Sequence, residues 1–125
     1  MTKTEQLIMV SEDCPVKKGT PPVSRKADAI AIIYYEELIT NPYKYTYDEL
    51  KHQVHIVRRG KKNGELKLEN YLIRRNQLVR DWGWGIHIDR NGKLALVGSE
   101  TSKYKQLVND PTVEKKRAYR INKKK

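Results

Sequence analysis

Asp89-Arg90-Asn91-Gly92 separates two stretches in which apolar and small or polar residues alternate. Such a cluster favours a tight turn, because Gly92 adopts a positive φ without a steric penalty. A type I turn with a bulge at Gly92 pairs Ile88 with Leu94 and Ile86 with Leu96. All four then share a face with Trp84, while Gly83, Gly85 and His87 occupy the other. Turn chemistry and apolar period agree on one register, so a two-stranded antiparallel unit is the anchor of any fold assigned to this chain.

The remaining elements are arranged around that anchor. Leu7 to Val10 reads as a short strand ending at Ser11-Glu12-Asp13. Residues 11–25 form a loop, since Pro15, Gly19 and Pro21-Pro22 oppose regular helix. Ser24 caps a helix from near Lys26. Its face carries Ile30, Ile33, Tyr34 and Leu38, widened by Ile32 and Ile39, and it stops at Asn41-Pro42. Thr46 and Glu49 have capping-box spacing for one or two helical turns. His52 to Val57 alternates and reads as a strand. Asn63 starts a second long helix, with Leu68, Tyr71, Leu72 and Val79 inward. Ser102 caps a short helix with Tyr104, Leu107 and Val108 on one face, stopped at Asn109-Asp110-Pro111. The expectation is a single α+β domain over residues 1–114: a small antiparallel sheet with a tight hairpin, covered on one face by two or three helices. Residues 115–125 read as a basic tail that begins with at most a helical turn.

Charge narrows the partners. The chain of 125 residues carries a formal +11. Residues 1–57 hold seven basic and eight acidic side chains, and residues 58–125 hold nineteen and seven. The excess sits at Arg58, Arg59, Lys61 and Lys62, at Arg74 and Arg75, and in a tail containing Lys115, Lys116, Arg117 and Arg120. A field of this kind attracts nucleic-acid phosphates or an acidic protein surface. No apolar run approaches the ~20 residues that span a bilayer, so no membrane span is expected. Nothing resembles a secretory signal, and a cytoplasmic protein is the expectation. Oligomeric state is open.

Catalytic signatures are sparse. His52 and His55 on the inferred strand point to opposite faces, which defeats chelation, so no metal is expected there. The single cysteine, Cys14, excludes an intramolecular disulfide. Cys14 with His87 as its base is the conceivable nucleophile pair. No cofactor motif is present. Trp82-Gly83-Trp84-Gly85-Ile86-His87 offers two readings. In one, Trp82, Gly83, Gly85 and His87 line a pocket in which a ligand lies on the flat glycine face. In the other, a helix packs against that face while Trp84 fills the core.

Asp13-Cys14-Pro15-Val16 with Gly19 and Pro21-Pro22, Tyr35-Glu36, and Asn41-Pro42-Tyr43-Lys44-Tyr45-Thr46 with Asp48 form a recognisable set. It continues through Trp82 to His87, Gly92-Lys93, Ser102-x-Tyr104 and Arg117-Ala118-Tyr119-Arg120. In this the chain resembles a group of small bacterial proteins classed as a domain of unknown function. That family usually has a longer segment before the Trp-Gly region, with a Lys-Gly-Gln stretch and a second cysteine. Here Arg74 to Arg80 stands in its place. The hairpin and the helix after it are also faintly similar to small double-wing, frataxin-like proteins suggested to bind DNA, an analogy of fold only. The leading expectation is a binding protein that contacts nucleic acid non-specifically through its basic half. The alternative is a protein-interaction module or inhibitor, and a small enzyme using His87 or Cys14 ranks below both.

Overall fold

Trp84–Ile88 (β2) and Leu94–Gly98 (β3) pair antiparallel in a computed structural model of the chain. Ile88 lies opposite Leu94 and Ile86 opposite Leu96, the register the apolar alternation expects. Gly92 holds φ +80°, and its N–H donates to the Asp89 carbonyl at 2.9 Å. The structure describes residues 4–23, 30–58, 60 and 73–118.

Gln6–Met9 (β1) pairs antiparallel with β2, and Glu114–Arg117 (β4) pairs parallel with β1. The strand order is β3-β2-β1-β4, so the sheet is mixed and not purely antiparallel. Lys115, Lys116 and Arg117 therefore belong to a strand, where a tail or a helical turn was expected. They carry no apolar signal of their own. Their place is fixed by β1 and by the flanking Val113 and Ala118, both buried. β3 and β4 run in the same direction on opposite edges of the sheet. A connection between parallel strands must cross a face. That crossing is Ser102–Asn109 (α4), capped by Thr101, one residue before the expected Ser102.

Both faces are consequently covered. Ile8, Ile86 and Leu94 meet Ile33, Tyr34 and Leu38 of Ile30–Thr40 (α1), Leu50 of Tyr47–His52 (α2), and Leu78 and Val79 of Gln77–Arg80 (α3). On the other face Leu7 and Val97 cluster with Leu107 of α4 and Val113. α1 stops at Thr40, as Asn41-Pro42 requires. Ile39 does not widen its buried face, being 46% exposed. The start expected near Lys26 lies outside the described residues.

Two further details differ from the pattern-based expectation. Gln53–Arg58 is π-helical and continues α2, so the alternation at Val54 and Ile56 does not mark a strand. The Thr46–Glu49 capping box that starts α2 commits the backbone to helix, and Val54 reaches the core from it. The stretch expected to end a second long helix is a 3-10 turn, Ile73–Arg75, followed by the separate α3. Asn76 divides them, its side chain accepting from the Leu78 N–H at 3.0 Å. Residues 61–72, with Asn63, Leu68, Tyr71 and Leu72, lie outside the described residues.

Candidate functional site

The basic residues do not act as one group. Arg58 reaches back to α1, with guanidinium nitrogens 2.8 Å from Glu36 and 3.1 Å from Glu37. It closes the π-helical segment onto α1 and is neutralised there. Arg74 instead donates from Nε to the Arg117 carbonyl at 2.6 Å. Arg117 donates to the Val10 carbonyl at 3.1 Å. Lys115 donates to the Asp110 carbonyl, and Lys116 lies 4.0 Å from Glu114. The fold thus brings Arg74, Lys115, Lys116 and Arg117 to the β4 edge, with the exposed Arg75 next to Arg74. Arg59, Lys61, Lys62 and Arg120 lie outside the described residues.

The glycine face of β2 is filled by the chain itself, which favours the structural reading of the Trp-Gly segment. A Cβ on Gly85 would lie 2.6 Å from the Tyr104 ring of α4. Gly83 has φ +78°, and a Cβ there would collide with the Lys18 carbonyl oxygen. Gly83 and Gly85 are thus covered by the Lys18 backbone and the Tyr104 ring. Trp84 packs on the main core, tilted against Tyr35, and its Nε1–H donates to the Thr20 carbonyl at 2.9 Å. Trp82 is half-buried against the same core.

His87 is 6% exposed, and both of its ring nitrogens are engaged. Nδ1 lies 2.6 Å from the Tyr43 hydroxyl, and Nε2 contacts a Glu5 carboxylate oxygen. Lys103 completes the cluster, donating to the Tyr43 hydroxyl at 2.8 Å with its ammonium 5.2 Å from the ring centre. Glu5 enters β1, Tyr43 follows Pro42, His87 lies within β2, and Lys103 lies in the first turn of α4. Tyr43 takes φ +59°, unusual for a residue with a side chain, and its N–H donates to the Leu94 carbonyl at 2.8 Å. Glu5, Tyr43 and Lys103 escaped the sequence reading. Tyr43 carried the available signal, because it stands in the Asn-Pro-Tyr stretch that resembles the family's.

These contacts also decide the Cys14 pair. With its nitrogens on Tyr43 and Glu5, His87 is not the base of Cys14. The half-buried Cys14 lies within electrostatic reach of Tyr104, whose hydroxyl accepts from the Val10 N–H at 3.1 Å and is pushed up by burial. His52 and His55 do not converge either. His52 is exposed at the end of α2, whereas His55 is fully buried with Nε2 3.1 Å from the Tyr34 hydroxyl. No helix of the described residues is long and apolar enough to cross a membrane.

The family model described as "Family of unknown function (DUF6157)" matches residues 1–124. No curated protein and no solved structure matches the chain.

Proposed function

We propose, for a chain that belongs to the family of unknown function DUF6157, that it is a binding protein whose basic sheet edge holds nucleic-acid phosphates without reading bases. The observation that carries this reading is the Arg74–Arg117 contact, which joins two basic clusters 43 positions apart at one edge. Arg74 and Arg117 each direct a guanidinium N–H to a backbone carbonyl, and this orients the planar group. The planar guanidinium suits phosphate oxygens bidentately. A strand edge offers a row of such groups to an extended backbone, a geometry that positions nucleic acid without carrying sequence information.

Titration of single-stranded DNA, duplex DNA and RNA probes at several salt concentrations tests this. If about five phosphates are neutralised on duplex DNA, the slope of log affinity against log salt is about −4.5. Replacing Arg74 and Arg117 with alanine brings it to about −2.7 for every sequence tried. Arg58→Ala leaves the slope unchanged, because that side chain is paired with Glu36 and Glu37. Binding no tighter than ~10⁻⁴ M near physiological salt overturns the proposal and moves the basic edge to an acidic protein partner.

A further inference from the structure

The Glu5–His87–Tyr43–Lys103 cluster has a direction. An ammonium has only donors, so the Tyr43 oxygen accepts from Lys103. In the tautomer that carries the imidazole proton on Nε2, Nδ1 accepts the phenolic proton of Tyr43. That Nε2 proton faces the Glu5 carboxylate. In that tautomer the donor and acceptor roles close without conflict. A carboxylate that orients an imidazole, which in turn takes a hydroxyl proton, is the logic by which weak oxygen nucleophiles are activated. Among the described residues, nothing donates to the second lone pair of the Tyr43 oxygen. The base is buried, whereas Tyr43 is half-buried and Lys103 exposed, so the cluster opens to solvent at the phenol. The left-handed backbone at Tyr43 is a departure of the kind that collects at functional sites.

From this geometry we propose that Tyr43 is an activated nucleophile for negatively charged esters or anhydrides, with His87 as its base and Glu5 as the positioning residue. The reading goes beyond phosphate binding at the β4 edge and does not depend on it. Lys103 holds the phenol oxygen and keeps two further N–H groups for the oxygens of an anionic electrophile. In the step itself a bond forms from the Tyr43 oxygen to the electrophilic centre. The leaving group departs with its electron pair, and the phenolic proton passes to His87 Nδ1 as Glu5 stabilises the resulting imidazolium.

Sulfonyl fluorides report this directly, because the O–S bond that forms replaces S–F and leaves a stable mass tag. The full chain is treated with anionic 4-(fluorosulfonyl)benzoate and, separately, with neutral phenylmethanesulfonyl fluoride, and tags are mapped over its eight tyrosines. Tyr43 is expected to react about a hundredfold faster than the other seven. His87→Gln removes that advantage, and Glu5→Gln reduces it by about tenfold. Lys103→Met lowers the preference for the anionic probe by about fivefold. Labelling of Tyr43 no faster than that of the other tyrosines overturns the proposal, as does a wild-type rate in a folded His87→Gln protein. Should that variant fail to fold, an unchanged rate in Glu5→Gln does the same. Equal rates for the two probes on the unmodified chain exclude the anionic class.

Discussion

Under α1, α2 and α3 the sheet presents Ile8, Ile86 and Leu94, all fully buried, whereas under α4 it presents Leu7 and Val97 beside Gly85 and His87. Three helices and a π-helical segment close the first face, and one helix of eight residues closes the second. A single helix buries an apolar stripe and leaves the rest of its face to polar groups, which must satisfy each other when buried. Glu5, His87, Tyr43 and Lys103 do so at the N-terminal end of α4. The larger core secures the fold, and the thinner cover leaves room for chemistry.

The sharpest break of this comparison is a pair of truncations read by urea unfolding. Ile86→Ala should cost about 4 kcal/mol and Leu107→Ala about 2 kcal/mol, because the smaller cluster collapses more readily around a void. Equal costs would make the two faces equivalent.

Alkaline pH gives the next largest effect. Burial pushes the Tyr47 hydroxyl up to about 12, against hydrogen bonds with Tyr34 and Asn76 that lower it. The folded state holds this proton more tightly than an unfolded chain, whose tyrosines titrate near 10. The contribution is intact below pH 10 and is lost as pH rises from 10 to about 12, by up to about 2–3 kcal/mol. Tyr104, on the α4 face, acts with the same sign, its hydroxyl also raised by burial. Unfolding at pH 9 and pH 11.5 should show Tyr47→Phe removing more of the alkaline loss than Tyr104→Phe. The reverse order would shift the weight to the α4 face.

Smallest are the caps. Thr46 accepts from the Glu49 N–H at 3.3 Å while the Glu49 side chain accepts from the Thr46 N–H at 2.9 Å, and Thr101 accepts from the Tyr104 N–H at 3.2 Å. Each threonine to alanine change should cost about 1 kcal/mol. In thermal melts, Thr46→Ala should lower the midpoint the more, because its capping is reciprocal.

The face built on local signals was the legible one. Asp89 to Gly92 and the alternation beside it fix the β2–β3 register without help from distant residues, and Asn41-Pro42 ends α1 by sterics alone. Val54 and Ile56 misled because two apolar residues in alternation fit a strand and a wide helical turn equally. β4 was invisible because Glu-Lys-Lys-Arg is an edge composition that looks like a tail until β1 pairs with it. The polar cluster joins four stretches, and only His87 stood out by itself. Of the basic residues, Arg74 meets Arg117 on the strand that also carries Lys115 and Lys116, whereas Arg58 is diverted by two carboxylates that spacing does not link to it.

β1 lies inside the sheet, yet its neighbours lie far along the chain. Gln6 meets Ile88 and Glu114, which are 82 and 108 positions further on. Closing loops of such length adds little to equilibrium cost, since each doubling contributes only about 0.6 kcal/mol, but it slows folding. During synthesis the β2–β3 ribbon can form as soon as it emerges, while Leu7 and Ile8 must wait with both strand edges unpaired. Only the arrival of Glu114–Arg117 covers the second edge. Among nascent chains, those stalled between Gly98 and Glu114 would carry an open apolar strand, and such species are the ones prone to self-association.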